Sequence, residues 1–253
     1  MAANFPGDAL GPLAGLVLYF HLEEKIGPAH RAVKSSDSYT KGMSCPICRV
    51  RRPRRFCPGL GKDICAPCCG AEREVTVDCP LDCEYLREAR KHEKLAPVDA
   101  EHVPNRDIRV SEEFLREHET LAAFLGRAVA NAAFSAPGAA DPEVREAIGS
   151  LVQTSRTLQS GVVYESRPAN PLAAAVFDAA QAAVPEFRKL EHQEFGMSRT
   201  RDTDVLGIWV FLQRLALSND NGRRRGRTFL DLLWELYGGG ATPPRPASSL
   251  IFP

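Results

Sequence analysis

The chain has 253 residues, 44% hydrophobic and 25% charged, with 32 basic residues balanced by 32 acidic ones. That balance excludes a dedicated polyanion binder held by net charge, and the apolar content is enough for a packed core. The apolar stretch Leu13 to Phe20 is too short to span a bilayer and has no Lys or Arg before it, so neither a membrane segment nor an export signal is expected.

Residues 1–42 read as an N-terminal extension. Leu10 to Leu22 has the makings of a docking helix and Ser35-Ser36-Asp37-Ser38 of a polar connector, while Met43 offers an alternative start. All eight cysteines follow between Cys45 and Cys83, in the order C-x2-C-x8-C-x7-C-x2-C-C-x9-C-x3-C. Disulfide-dense modules are small secreted domains without a core of their own, and this chain is neither small nor poor in apolar residues. Reduced thiols in a cytoplasmic protein are therefore expected, and two zinc ions with four ligands each would use all eight. In Cys45-Pro46-Ile47-Cys48 a tight turn aims two thiolates at one ion and the proline stiffens it; Cys65-Ala66-Pro67-Cys68 is a second such knuckle. Cys79 and Cys83 are spaced as ligands at the start of a helical turn, with Glu84 to Lys94 as the helix. All-thiolate sites leave no open coordination position, so the zinc is expected to be structural. His92 lies in the finger helix and reads as a solvated side chain rather than a ligand.

The same segment carries Arg49, Arg51, Arg52, Arg54 and Arg55. Arginine forks match phosphates. Two zinc ions with eight thiolates also carry a net negative charge that arginines would offset, and acidic neighbours including Asp63, Glu72, Glu74 and Asp78 dilute the positive field.

The spacing resembles the binuclear treble-clef zinc fingers of the HIT and MYND type. Cys45, Cys48, Cys57, Cys65, Cys69, Cys79 and Cys83 fall on that frame, and Phe56-Cys57-Pro58 is similar to the aromatic-Cys-Pro of its third ligand. Leu60 occupies the fourth ligand position and Cys68 is an additional thiol, so one of the adjacent pair is expected to replace the missing ligand. The resemblance implies interleaved sites: Cys45, Cys48, Cys65 and Cys69 on one zinc, and Cys57, Cys68, Cys79 and Cys83 on the other. Exchange of Cys68 and Cys69 stays open, as does a sequential split. The frame covers about a sixth of the chain.

Beyond Ala96, cysteine disappears and helix punctuation becomes regular. After a linker at 97–110, Ser111 caps a helix carrying the stripe Phe114, Leu115, Leu121, Leu125 and Val129, which stops at Ala136-Pro137-Gly138. Asp141-Pro142 opens a second helix, capped by Asp141 and ending before Gly161. Asn170-Pro171 opens a third, in which Pro185 predicts a kink or break. Asp202 or Thr203 begins an apolar fourth, and Thr228 caps a short fifth ending at Tyr237. Trp209 and Trp234 read as core contacts. Gly238 onward reads as a flexible Gly/Pro-rich tail.

The expected fold is mainly α: a small binuclear zinc finger at 43–96, then an all-helical, bundle-like domain of about five helices at 111–237. No Gly-rich phosphate loop, nucleophile elbow or HExxH motif occurs, so no enzyme is expected. HIT and MYND fingers are mainly protein-interaction modules, and the resemblance implies an adaptor or regulator whose partner is another protein. The alternative is a nucleic-acid-binding regulator using Arg49–Arg55 together with Arg223, Arg224, Arg225 and Arg227. A third reading places an active site near Tyr164, Glu165 and Arg167. His192, between Glu191 and Glu194, lacks a second histidine at ligand spacing.

Overall fold

The computed structural model describes residues 44–95, 98, 101, 103–161 and 164–238. The expectations for residues 1–42, for the tail after Gly238 and for most of 96–102 lie outside these residues. Among the described residues the protein is mainly α, with eight helices and a single two-stranded hairpin.

The cysteine-rich segment at 44–95, termed the finger below as a label only, contributes β1 (Arg55–Cys57) and β2 (Lys62–Ile64), paired antiparallel with Phe56 opposite Asp63. Their turn closes as the N–H groups of Leu60 and Gly61 both donate to the Cys57 carbonyl, and Gly61 takes the left-handed φ of 63° that a side chain would resist. Two seven-residue helices follow, α1 (Ala66–Glu72) and α2 (Glu84–Arg90). α2 stops short of the expected Lys94 because His92 and Glu93 donate only three residues back, a tight terminal turn that does not propagate. The finger has its own small apolar cluster, in which six cysteines pack with Ile64, Val77, Leu81 and Leu86.

The helical domain comprises α3 (Glu112–Glu117), α4 (Glu119–Ser135), α5 (Asp141–Gln159), α6 (Pro171–Phe195), α7 (Asp202–Ser218) and α8 (Thr228–Tyr237). α4 packs on α6, α6 on α5, α5 on α7, and α7 back on α4, closing a four-helix ring; α8 covers α4. Leu125, Ile148, Phe177, Trp209, Leu212 and Phe229 fill the centre. Alanines at 147, 173 and 180 are fully buried and let the helix axes approach. Trp234 is half-buried and meets Phe134 edge-on. Gly207 is required by close approach: a Cβ there would lie 2.5 Å from the Phe114 ring.

Several expected boundaries are corrected. The helix from Ser111 is two helices, because His118 leaves helical geometry (φ −112°, ψ 23°), with its backbone N–H and its ring both bonded to the Phe114 carbonyl. Pro185 does not break α6, which continues through it. The Asn170 side chain does accept from the Leu172 N–H, and Ser111 from Phe114. Asp141, by contrast, does not cap its own helix. Its carboxylate is buried and accepts from the N–H groups of Phe229 and Leu230, so it caps α8 in place of Thr228. Burial pushes the Asp141 carboxyl up to about 7 against the pull of these two donors. Residues 103–110 do not behave as a free linker: Arg214 donates to the carbonyls of Pro104, Asn105 and Ile108, and Ile108 and Val110 pack on the core.

Candidate metal centre

Four thiols converge. The sulfurs of Cys45, Cys48, Cys65 and Cys68 all lie within 4.8 Å of one another. They come in pairs from two local devices. Cys45 and Cys48 bracket a loop closed by Cys45 N–H to the Arg51 carbonyl (2.8 Å) and Arg49 N–H to the Cys45 carbonyl (2.7 Å). Cys65 is extended (φ −79°, ψ 153°) at the N-cap of α1, and Cys68 sits in that helix's first turn. The Cys65 N–H points at the Cys45 sulfur at 3.4 Å, and the Arg51 N–H at the Cys48 sulfur at 3.5 Å. Cys48 and Cys65 sulfurs are 3.9 Å apart. A tetrahedral zinc with bonds of about 2.3 Å requires sulfurs about 3.8 Å apart, so the donor set fits such an ion.

The thiol electrostatics point the same way. Two backbone N–H groups, of Arg51 and Val50, draw Cys48 down to about 6. Cys68 is pushed up to about 12, first by its contact with Cys65 and then by burial. With one thiolate formed, the next deprotonation is costly unless a cation joins the cluster.

The remaining four cysteines, Cys57, Cys69, Cys79 and Cys83, line a common cavity of about 10 Å³, walled by Ile64, Val77 and Leu86. Burial pushes Cys79 up to about 12 and raises Cys57. Cys68, not Cys69, thus lies beside Cys45, Cys48 and Cys65, the alternative that the adjacent thiols left open for this cluster. His92 is exposed and faces Glu88 rather than a thiol.

The arginine clusters separate. Arg55 lies over the Tyr85 ring, 4.7 Å from its centre, whereas Arg49, Arg51, Arg52 and Arg54 are exposed and form no ion pair among the described residues. In the second cluster three of four arginines turn inward, onto the finger. Arg223 donates to the Arg73 carbonyl and faces Glu93, Arg225 pairs with Asp78, and Arg227 is buried with its side chain on the Ala139 carbonyl. Only Arg224 is exposed.

At the centre of this junction is Glu74, 1% exposed, which the sequence presented as one acidic neighbour among many. Its carboxylate accepts from Arg90 at 2.9 Å, from Asn221 at 3.0 Å and from the Arg227 N–H at 3.0 Å, while its carbonyl accepts from the Arg225 N–H. Arg90 extends the network to Asp231 of α8. Glu74 holds a left-handed φ of 52°, unfavourable for a side-chain-bearing residue and sustained by these contacts. Phe134 packs against both the finger cluster and the helical core, so an apolar contact backs the polar one.

At the loop of Tyr164, Glu165 and Arg167, Tyr164 is exposed, Arg167 forks onto Asp178, and Glu165 accepts from Gln181. His192 is exposed, and its neighbour Glu191 is occupied by Ser198, Arg199 and Thr200. No helix among the described residues is long and apolar enough to cross a membrane. No family model matches the chain, and neither a curated protein nor a solved structure does.

Proposed function

We propose that this is a zinc-binding, non-catalytic interaction protein of the cytoplasm, an adaptor or regulator. Two structural ions fold a HIT/MYND-like finger that the helical domain holds in place. Cys45, Cys48, Cys65 and Cys68 hold one zinc, and Cys57, Cys69, Cys79 and Cys83 the other. The observation that carries this reading is the four-sulfur cluster, a donor set that would fill a tetrahedral zinc and leave no coordination position for water or substrate. The metal supplies folding energy, the Glu74 junction fixes the finger on the bundle, and the finger's outward face remains for a macromolecular partner.

X-ray absorption at the zinc edge of the purified protein tests whether the sites are closed. Four sulfur neighbours at about 2.3 Å support the structural role. Three sulfurs with an oxygen or nitrogen at about 2.0–2.1 Å would overturn it in favour of an open, catalytic centre.

A further inference from the structure

The finger's outward face combines cations with a flat apolar ring. Arg49, Arg51, Arg52 and Arg54 are all exposed on the strip that runs from the first knuckle into β1. Their spacing puts four guanidinium groups within six residues. Arg49 itself holds a left-handed φ of 56°, inside the loop closed by Cys45 and Arg51. Arg52 of this strip lines a cleft of about 500 Å³ together with Pro46, Pro53, Phe56, Lys62 and Asp63. Phe56 is 58% exposed, and Val50 is 83% exposed nearby in sequence.

Neither the apolar cluster of the finger nor the junction with the bundle accounts for this exposure. Cys57, the neighbour of Phe56, is buried in the finger cluster, so strand alternation turns Phe56 outward. The carboxylates of Asp78 and Glu93 are met by Arg225 and Arg223 of the 219–227 loop and that of Glu74 by Arg90, whereas Arg49, Arg51, Arg52 and Arg54 form no ion pair with a carboxylate among the described residues.

We propose that this face binds single-stranded nucleic acid. Arginine forks would take successive phosphates, and Phe56 would stack on a base held in the cleft. A protein interface also enriches arginine and aromatic side chains, but around a contiguous apolar centre depleted of charge. Here two exposed apolar side chains are set among four arginines, the composition of a backbone track with a stacking platform. A duplex fits less well, because its bases are already stacked and present no face to Phe56. The proposal rests on the metal-folded finger above, since the first zinc fixes the Cys45–Arg51 loop that aims the arginines.

Fluorescence anisotropy of a labelled mixed-sequence 20-nucleotide single strand, titrated with the full-length zinc-loaded protein, tests this. Binding should weaken with salt at a slope of about −3 in log K against log salt, four phosphate contacts at about −0.7 each. Phe56→Ala should weaken binding roughly fivefold or more with the slope retained, and Arg52→Ala should reduce the slope by about 0.7. Duplex of the same sequence should bind more weakly. Absence of binding by protein shown to contain its zinc would overturn this inference while leaving the metal reading intact. Equal competition by poly-glutamate, with Phe56→Ala without effect, would also overturn it and indicate an acidic protein partner. Loss of zinc from the wild-type sample would instead count against the metal reading.

Discussion

Removing the metal with a strong chelator under reducing conditions is expected to unfold residues 44–95 while leaving the helical domain largely folded. The finger's apolar cluster contains four buried side chains other than cysteine: Ile64, Val77, Leu81 and Leu86. Their burial contributes about 1.5–3 kcal/mol each, against apparent zinc binding energies of about 10–16 kcal/mol per site in small fingers. The regular backbone of the finger is a three-residue hairpin pair and two seven-residue helices, none of which is stable alone. The bundle, in contrast, buries an extensive core of its own. Hydrogen exchange should therefore show protection lost throughout the finger and in the 219–227 loop, with α4 to α7 retaining theirs. Since α1 and α2 are short, the loss of helical circular dichroism should be small. Unchanged protection in the finger after complete chelation would contradict the account.

Glu74→Ala is expected to be the most costly substitution of a charged residue. Glu74 satisfies Arg90, whose side chain is 12% exposed, together with Asn221 and the buried backbone of Arg227. Removing the acidic partner of a buried ion pair leaves an uncompensated charge and costs about 3–5 kcal/mol. Glu72→Ala is the control: its exposed hydrogen bond with Thr76 is expected to contribute no more than about 1 kcal/mol. Denaturant unfolding of the zinc-loaded chain measures both. Because Glu74 is not assigned as a ligand, the variant should retain its zinc while losing exchange protection at 219–227. Loss of zinc from Glu74→Ala would show that the carboxylate belongs to a metal site rather than to the junction.

The sequence carried much of this through local signals. Ser111 and Asn170 cap the helices they precede because a cap acts on amides two or three residues away. The C-x2-C spacing likewise marked Cys45–Cys48 and Cys65–Cys68 as two local pairs, which the structure brings together. Asp141 shows where local reading fails: it stands where a helix cap should, yet its acceptors serve amides 88 and 89 residues later. The same holds for Glu74, whose partners on the 219–227 loop follow it by about 150 residues, and for Arg223, Arg225 and Arg227, whose anions lie on the finger. Composition shows a charged loop and an acidic segment; only tertiary folding shows that they neutralise one another. Cys68 and Cys69 were indistinguishable for a related reason. Both follow Cys65 closely enough to share its turn, and the choice depends on how α1 starts from the extended backbone at Cys65.

Elemental analysis of the full chain purified without added metal tests the central claim most directly. Two zinc ions per chain are predicted, one for each four-sulfur set; a value near one, or none, would contradict the two-site finger.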